Sequence, residues 1–152
     1  MFITKNKIVM LIAIVLLVAT LLVYLIDYAR CAKLVCTSVY TGNDVQKFLG
    51  RFKIKVESQP LEVTQITIPE IFDQVYVNYE KLQNKMGYSL KEYKGTTLTR
   101  YTYQVTNHQN SGQEDILAHV FVSGNEVVAA DVCSVRLDGF MIPLTEFKNQ
   151  MK

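Results

Sequence analysis

The segment VVAADVCSVRLDGF, Val127 to Phe140, places an aspartate, a cysteine and an Asp-Gly pair inside an otherwise apolar stretch. Asp131 has the most chemical capacity there, because a carboxylate among apolar neighbours must be paired or neutralised. Arg100 and Arg136 are its candidate partners. Catalysis would need a second acid or a base at working distance, and the sequence positions none beside it, so a structural ion pair is the preferred reading. Asp138-Gly139 reads as a tight turn. His119, between Ala118 and Val120, reads as a packed histidine, and His108 falls in a loop and reads as solvated. A hydrolase would draw on Asp131, Asp138 and His119, provided the fold brings them together. Tyr76 and Tyr79 could enclose a small ligand against a sheet, although their spacing suits core residues with hydroxyls at the rim.

Three cysteines, Cys31, Cys36 and Cys133, cannot all pair within one chain. Cys31 and Cys36 are close enough for a disulfide in an oxidising compartment. Cys133 sits in an apolar strand, where a thiol behaves as a small hydrophobe. No His or Cys stands at zinc-ligand spacing from either, so no metal is expected. No G-x-S-x-G elbow surrounds Ser134, and no GxGxxG, P-loop or HExxH motif occurs, so no cofactor is expected either.

The elements that must carry these residues follow from periodicity. Thr41 and Asp44 make a capping box for a short helix, 41–49, with Val45, Phe48 and Leu49 on one side and Gly50 closing it. RFKIKVES alternates as a half-buried strand. LEVTQITI follows as another, with a change of parity at Thr64-Gln65 that a bulge would explain. Pro69 suits the first position of the main helix, 69–86, which Gly87 ends. Its apolar stripe, Ile71, Phe72, Val75, Tyr76, Tyr79, Leu82 and Met86, is expected to cover the sheet.

TTLTRYTYQVTN places Tyr101, Tyr103 and Val105 on one face of a third strand and Arg100, Thr102 and Gln104 on the other. Two further strands meet at Gly124-Asn125. If Ser123 faces Glu126, a regular ladder sets Ala118 opposite Asp131 and His119 opposite Ala130. Both faces of that hairpin are apolar, so it is expected either to be covered twice or to offer one face to a partner.

Residues 8–26 form a run of nineteen without a charge. As a helix rising about 1.5 Å per residue, the run nearly spans a bilayer core of about 30 Å. The run is longer than a signal-peptide core and is followed by DYARCAK, which has no small-x-small cleavage site. It therefore reads as an uncleaved single-pass anchor in the cell membrane. A cytoplasmic head, 1–7, is expected before it; a juxtamembrane connection, 27–40, and an extracytoplasmic domain, 41–152, are expected after it. Two of the sixteen basic residues precede the anchor and all fourteen acidic residues follow it, so the tail is formally neutral. A neutral tail without a Lys/Arg cluster argues against nucleic acid as a partner.

The run VTQITIPEIFDQVYVNYEKLQNKMGYSLKEYKGTTLTRYTYQVTN, together with DVCSVRLDGFM, resembles an uncharacterised family of small, membrane-anchored bacterial proteins, mainly from Firmicutes, that carry a domain of unknown function. The resemblance covers roughly residues 43–142 and implies the same layout of anchor and compact domain. It transfers no catalytic or binding residue. Departures fall at Arg51 to Ile54, where the family tends to a Gly-Trp-Glu-Val-like stretch, and at Ala129-Ala130, where it tends to glycine.

The expectation is an α+β domain, an antiparallel sheet of about five strands packed on the main helix, held outside the membrane by one span. Its expected role is a non-enzymatic binding or interaction module with a protein partner in the cell envelope. A membrane-anchored hydrolase-like enzyme and a small-ligand sensor are the alternatives.

Overall fold

The computed structural model describes residues 13–26, 41–109 and 116–150. These fall into two separate compact units, with 13–26 in the first and the rest in the second. Residues 13–26 are helical with exposed side chains, and Thr20 Oγ1 donates back to the Leu17 carbonyl at 2.9 Å. Among the described residues, no helix is long and apolar enough to cross a membrane. The head 1–7, the first residues of the apolar run, the connection 27–40 and the Cys31/Cys36 pair lie outside the described residues.

The second unit is α+β. Its elements are α1 (Gly42–Arg51), β1 (Glu62–Thr67), α2 (Gln74–Asn84), a 3-10 turn (Leu90–Tyr93), β2 (Thr97–Gln104), β3 (Ile116–Ser123), β4 (Glu126–Ser134), β5 (Met141–Ile142) and a second 3-10 segment (Leu144–Gln150). The five strands form one antiparallel sheet in the order β1-β2-β3-β4-β5. The expected strand count is met, but one member differs. RFKIKVES contributes a single bridge, Val56 to Val105, and the two-residue β5 is the fifth strand.

Helix α1 begins as its residues dictate. The Asp44 carboxylate accepts from the Thr41 N–H at 3.1 Å and from the Thr41 hydroxyl at 3.0 Å. Val45, Phe48 and Leu49 are fully buried, each contributing about 1.5–3 kcal/mol by leaving water. Gly50 does not close the helix. The chain continues to Arg51 and turns at Lys53, whose φ of 62 is left-handed. There Lys53 N–H donates to Gly50 O and Ile54 N–H to Leu49 O, the paired bonds of a Schellman stop.

Helix α2 starts later than the proline suggests. The Asp73 Oδ1 accepts from Tyr76 N–H at 2.8 Å and caps the first turn at Gln74. Upstream, Ile68 is still tied to the sheet side, donating to Thr96 O and accepting from Gly95 N–H, so Pro69 to Phe72 serve as the crossing. Ile71 and Val75 are 86% and 72% exposed and do not join the covering face. Gly87, at φ 85, ends the helical segment as expected.

Tyr76, Tyr79 and Leu82 of the stripe do pack on the core, and the residues that α2 buries completely are polar, Glu80 and Gln83. The Gln83 side chain donates to Ala130 O at 3.1 Å and accepts from Ala130 N–H at 3.0 Å. β5 pairs with β4 only at Val132 and Cys133, so the amide of Gln83 satisfies backbone groups further along that edge. The Glu80 carboxylate accepts from Leu90 N–H at 2.8 Å and from Ser89 Oγ at 3.3 Å, and so fixes the first 3-10 turn.

The sheet is covered on both faces. One face packs Ala118, Val120, Ala130 and Val132 against α1, Met86, Leu144 and Phe147. The other packs Phe121, Val128 and Ala129 against Ile68, Leu90, Phe72, Tyr76 and Tyr79. Tyr103 and Val105 bury on the first face, as their alternation predicts. β1 keeps an unbroken register with β2 from Glu62 opposite Thr102 to Thr67 opposite Thr97. The expected bulge at Thr64-Gln65 is therefore absent, and Leu61 and Val63 stay exposed.

A bulge does occur elsewhere. Ser123 faces Glu126 and Val122 faces Val127, but Phe121 faces Ala129, which leaves Val128 as an extra residue in β4. The turn itself is as expected, with Gly124 at φ 57. From Phe121 onward the pairing moves by one residue, so Ala118 faces Val132 and His119 faces Asp131. The regular ladder expected for this hairpin is overturned.

Candidate functional site

The bulge puts His119, Asp131 and Cys133 on one face of the sheet. His119 Nδ1 donates to Asp131 Oδ1 at 2.9 Å, and Cys133 Sγ lies 3.8 Å from the same nitrogen. Tyr79 O–H, from α2, donates to the other carboxylate oxygen at 2.5 Å. Asp131 is 1% exposed and the His119 side chain 14%. The carboxylate is thus held between a tyrosine and a histidine. Neither expected arginine reaches it: Arg100 pairs with Glu62 at 2.7 Å and Arg136 with Asp138 at 3.2 Å.

Burial alone would pull the His119 pKa down, but hydrogen bonding to Asp131 and the Cys133 sulfur outweigh it and push it up to about 9. The imidazole is therefore charged at neutral pH. Burial, then the charge of Asp131 and the hydrogen bond to it, hold the Tyr79 hydroxyl well above its ordinary pKa, so it stays a donor. Tyr79 does not reach the rim, as its spacing suggested; its hydroxyl points into the buried network. Tyr76 packs on Phe72, with ring centroids 5.3 Å apart.

Asp138 does not join this group. It is an exposed turn residue between β4 and β5, and Gly139 N–H donates to Arg136 O across that turn. The three residues from which a hydrolase would be drawn are thus only partly assembled. Cys133 and His119 also do not form a nucleophile-base relay, because carboxylate and thiol address the same ring nitrogen. His108, expected in solvent, is 1% exposed and packs its ring against Phe140 and Phe147.

A groove of about 720 Å³ lies between α2 and the same sheet face. Ile66, Tyr76, Tyr79, Leu82, Phe121 and Arg100 are among the residues lining it. Among the described residues, three buried side-chain atoms on this face have no hydrogen-bond partner: Thr64 Oγ1, Arg100 Nε and Thr102 Oγ1. Thr64 stands directly across from Arg100, and Thr102 directly across from His119. No motif in the sequence marks these threonines, Arg100 as a site residue, or the joining of Cys133 to His119. The i, i+2 spacing of Asp131 and Cys133 was the available signal, since alternate residues of a strand share a face.

No curated protein and no solved structure matches the chain. A family model described as "Domain of unknown function (DUF4830)" matches residues 38–132, from before α1 into β4, and includes both His119 and Asp131. With more than half of its length matched, the chain belongs to the DUF4830 family.

Proposed function

We propose that the second unit is a binding module for a small ligand with an apolar body and an anionic, oxygen-rich head, seated in the groove between α2 and the sheet. The observation that carries this reading is a pair of unpartnered buried atoms: Arg100 Nε, on a residue that lines a mostly apolar groove, and Thr64 Oγ1, on the residue directly across the strand pair from it. A buried donor without an acceptor costs about 1–3 kcal/mol, so a ligand oxygen that supplied the acceptor would gain that much on binding. The volume falls within the usual range for small-molecule sites. The uncharged run 8–26 supports tethering by a single span at the cell membrane, with the module outside the cytoplasm. The reading is non-enzymatic.

The test is a thermal-shift screen of the full chain in lipid nanodiscs against carboxylates, phosphates and neutral compounds of matched apolar size. Stabilisation by the acids is expected, and its loss in Arg100→Met and in Val75→Trp, which fills the groove from a residue that lines its α2 side. No stabilising acid, or equal stabilisation of Val75→Trp, overturns the proposal. A second reading, docking of an envelope protein, is favoured by exposed Leu61 and Val63 at edge strand β1. Crosslinking from Val63 in membranes tests it, and a specific adduct is expected.

A further inference from the structure

We infer that His119, Asp131 and Cys133 form a binding site for a zinc-type divalent ion. The three donor atoms, Nδ1, a carboxylate oxygen and Sγ, all lie within 4.8 Å of one another. Around an ion bound at about 2.0–2.3 Å, tetrahedral donors sit roughly 3.3–3.8 Å apart. The observed 2.9 Å between Nδ1 and Oδ1 needs to open by a few tenths of an ångström, and the 3.8 Å between Nδ1 and Sγ already fits.

The donor set selects the ion. Imidazole and thiolate together favour zinc-type ions over magnesium or calcium, which take oxygen ligands. Charge also balances. A divalent ion with one thiolate and one carboxylate is neutral, so it can occupy a site where Asp131 is 1% exposed and Cys133 9%.

Two features beyond the donors support the site. Tyr79 holds the second carboxylate oxygen of Asp131 at 2.5 Å, which turns the first toward His119, as an outer-shell partner does in metal centres. Three protein ligands leave a fourth position for water. The buried Thr102 hydroxyl, across the β2–β3 rung from His119 and without a partner, offers such a water a hydrogen bond. The donors sit on adjacent strands in mid-sheet, so little conformational freedom is lost on binding. The site does not depend on the groove ligand.

The test uses the full chain in detergent with Cys31→Ser and Cys36→Ser, so that Cys133 is the only thiol, and Co²⁺ as the probe. One Co²⁺ per chain is expected, with a thiolate-to-cobalt charge-transfer band in the near ultraviolet and the visible bands of four-coordinate cobalt, bleached by Zn²⁺. Cys133→Ser should abolish the charge-transfer band. Tyr79→Phe should weaken Co²⁺ binding about ten- to a hundredfold. No charge-transfer band in the chain that retains Cys133, or a band that survives His119→Gln or Cys133→Ser, overturns the inference. The first of these outcomes needs no further variant to fold.

Discussion

His119 stands directly opposite Asp131, at 2.9 Å, because Val128 is an extra residue in β4. Without that residue in the count, Asp131 would fall on the opposite face beside Ala118 and Val120, away from both His119 and Tyr79. A single bulge thus decides whether the carboxylate is an uncompensated charge or the centre of a buried network.

Removing the carboxylate should therefore be costly. Asp131→Ala leaves a buried imidazolium and a buried phenol unpaired, and a loss of about 3–5 kcal/mol is expected. Tyr79→Phe removes one hydrogen bond to a charged acceptor and should lose about 1.5–3 kcal/mol. Urea denaturation checks both as a fall in midpoint at unchanged slope. A loss under 1 kcal/mol for Asp131→Ala would show that the network does not hold the sheet.

Gln83→Leu keeps the volume near that of the native side chain but strands the N–H and C=O of Ala130. The expected loss is about 2–4 kcal/mol, from two buried groups without partners. Because β4 is then an open edge beyond β5, the variant should also associate at concentrations where the native chain does not. Denaturation and light scattering measure the two effects.

In the metal-free chain, the raised His119 pKa makes stability depend on pH. The folded value of about 9 exceeds the ordinary 6.5, so the folded state binds the proton more tightly than the unfolded one. This contribution, roughly 3 kcal/mol, is complete below pH 6.5 and is lost as pH rises through 9. Denaturation across that window in the presence of a chelator should show the decline, and His119→Gln should flatten it.

Lys53 carries a left-handed φ of 62 at the end of α1. Relief of its Cβ contact should make Lys53→Gly more stable by up to about 1 kcal/mol, after the added freedom of the unfolded glycine is counted. A shift of the melting temperature upward checks this, and a fall would mean that the lysine side chain contributes more than the strain.

Short-range chemistry was legible. The Thr41/Asp44 capping box, the buried stripe of α1, the alternation of Tyr103 and Val105, and the Gly124-Asn125 turn each depend on residues within a few positions of one another. The sequence alone therefore determined an α+β domain with an antiparallel sheet, and it displayed an uncharged run of nineteen residues at 8–26. It did not determine where α2 begins, because Pro69 and Asp73 both suit a helix start and the ties of Ile68 to Gly95 and Thr96 settle the choice. Nor did it determine the partner of Asp131. An extra residue in a strand of Val and Ala leaves no local mark, because neighbouring positions are equally apolar and either register buries them. Only the packing of α2, which holds the edge of β4 through Gln83 and brings Tyr79 onto Asp131, makes one register better than the other. The candidate site belongs to that tertiary choice, since its donors come from two strands whose alignment no local propensity fixes.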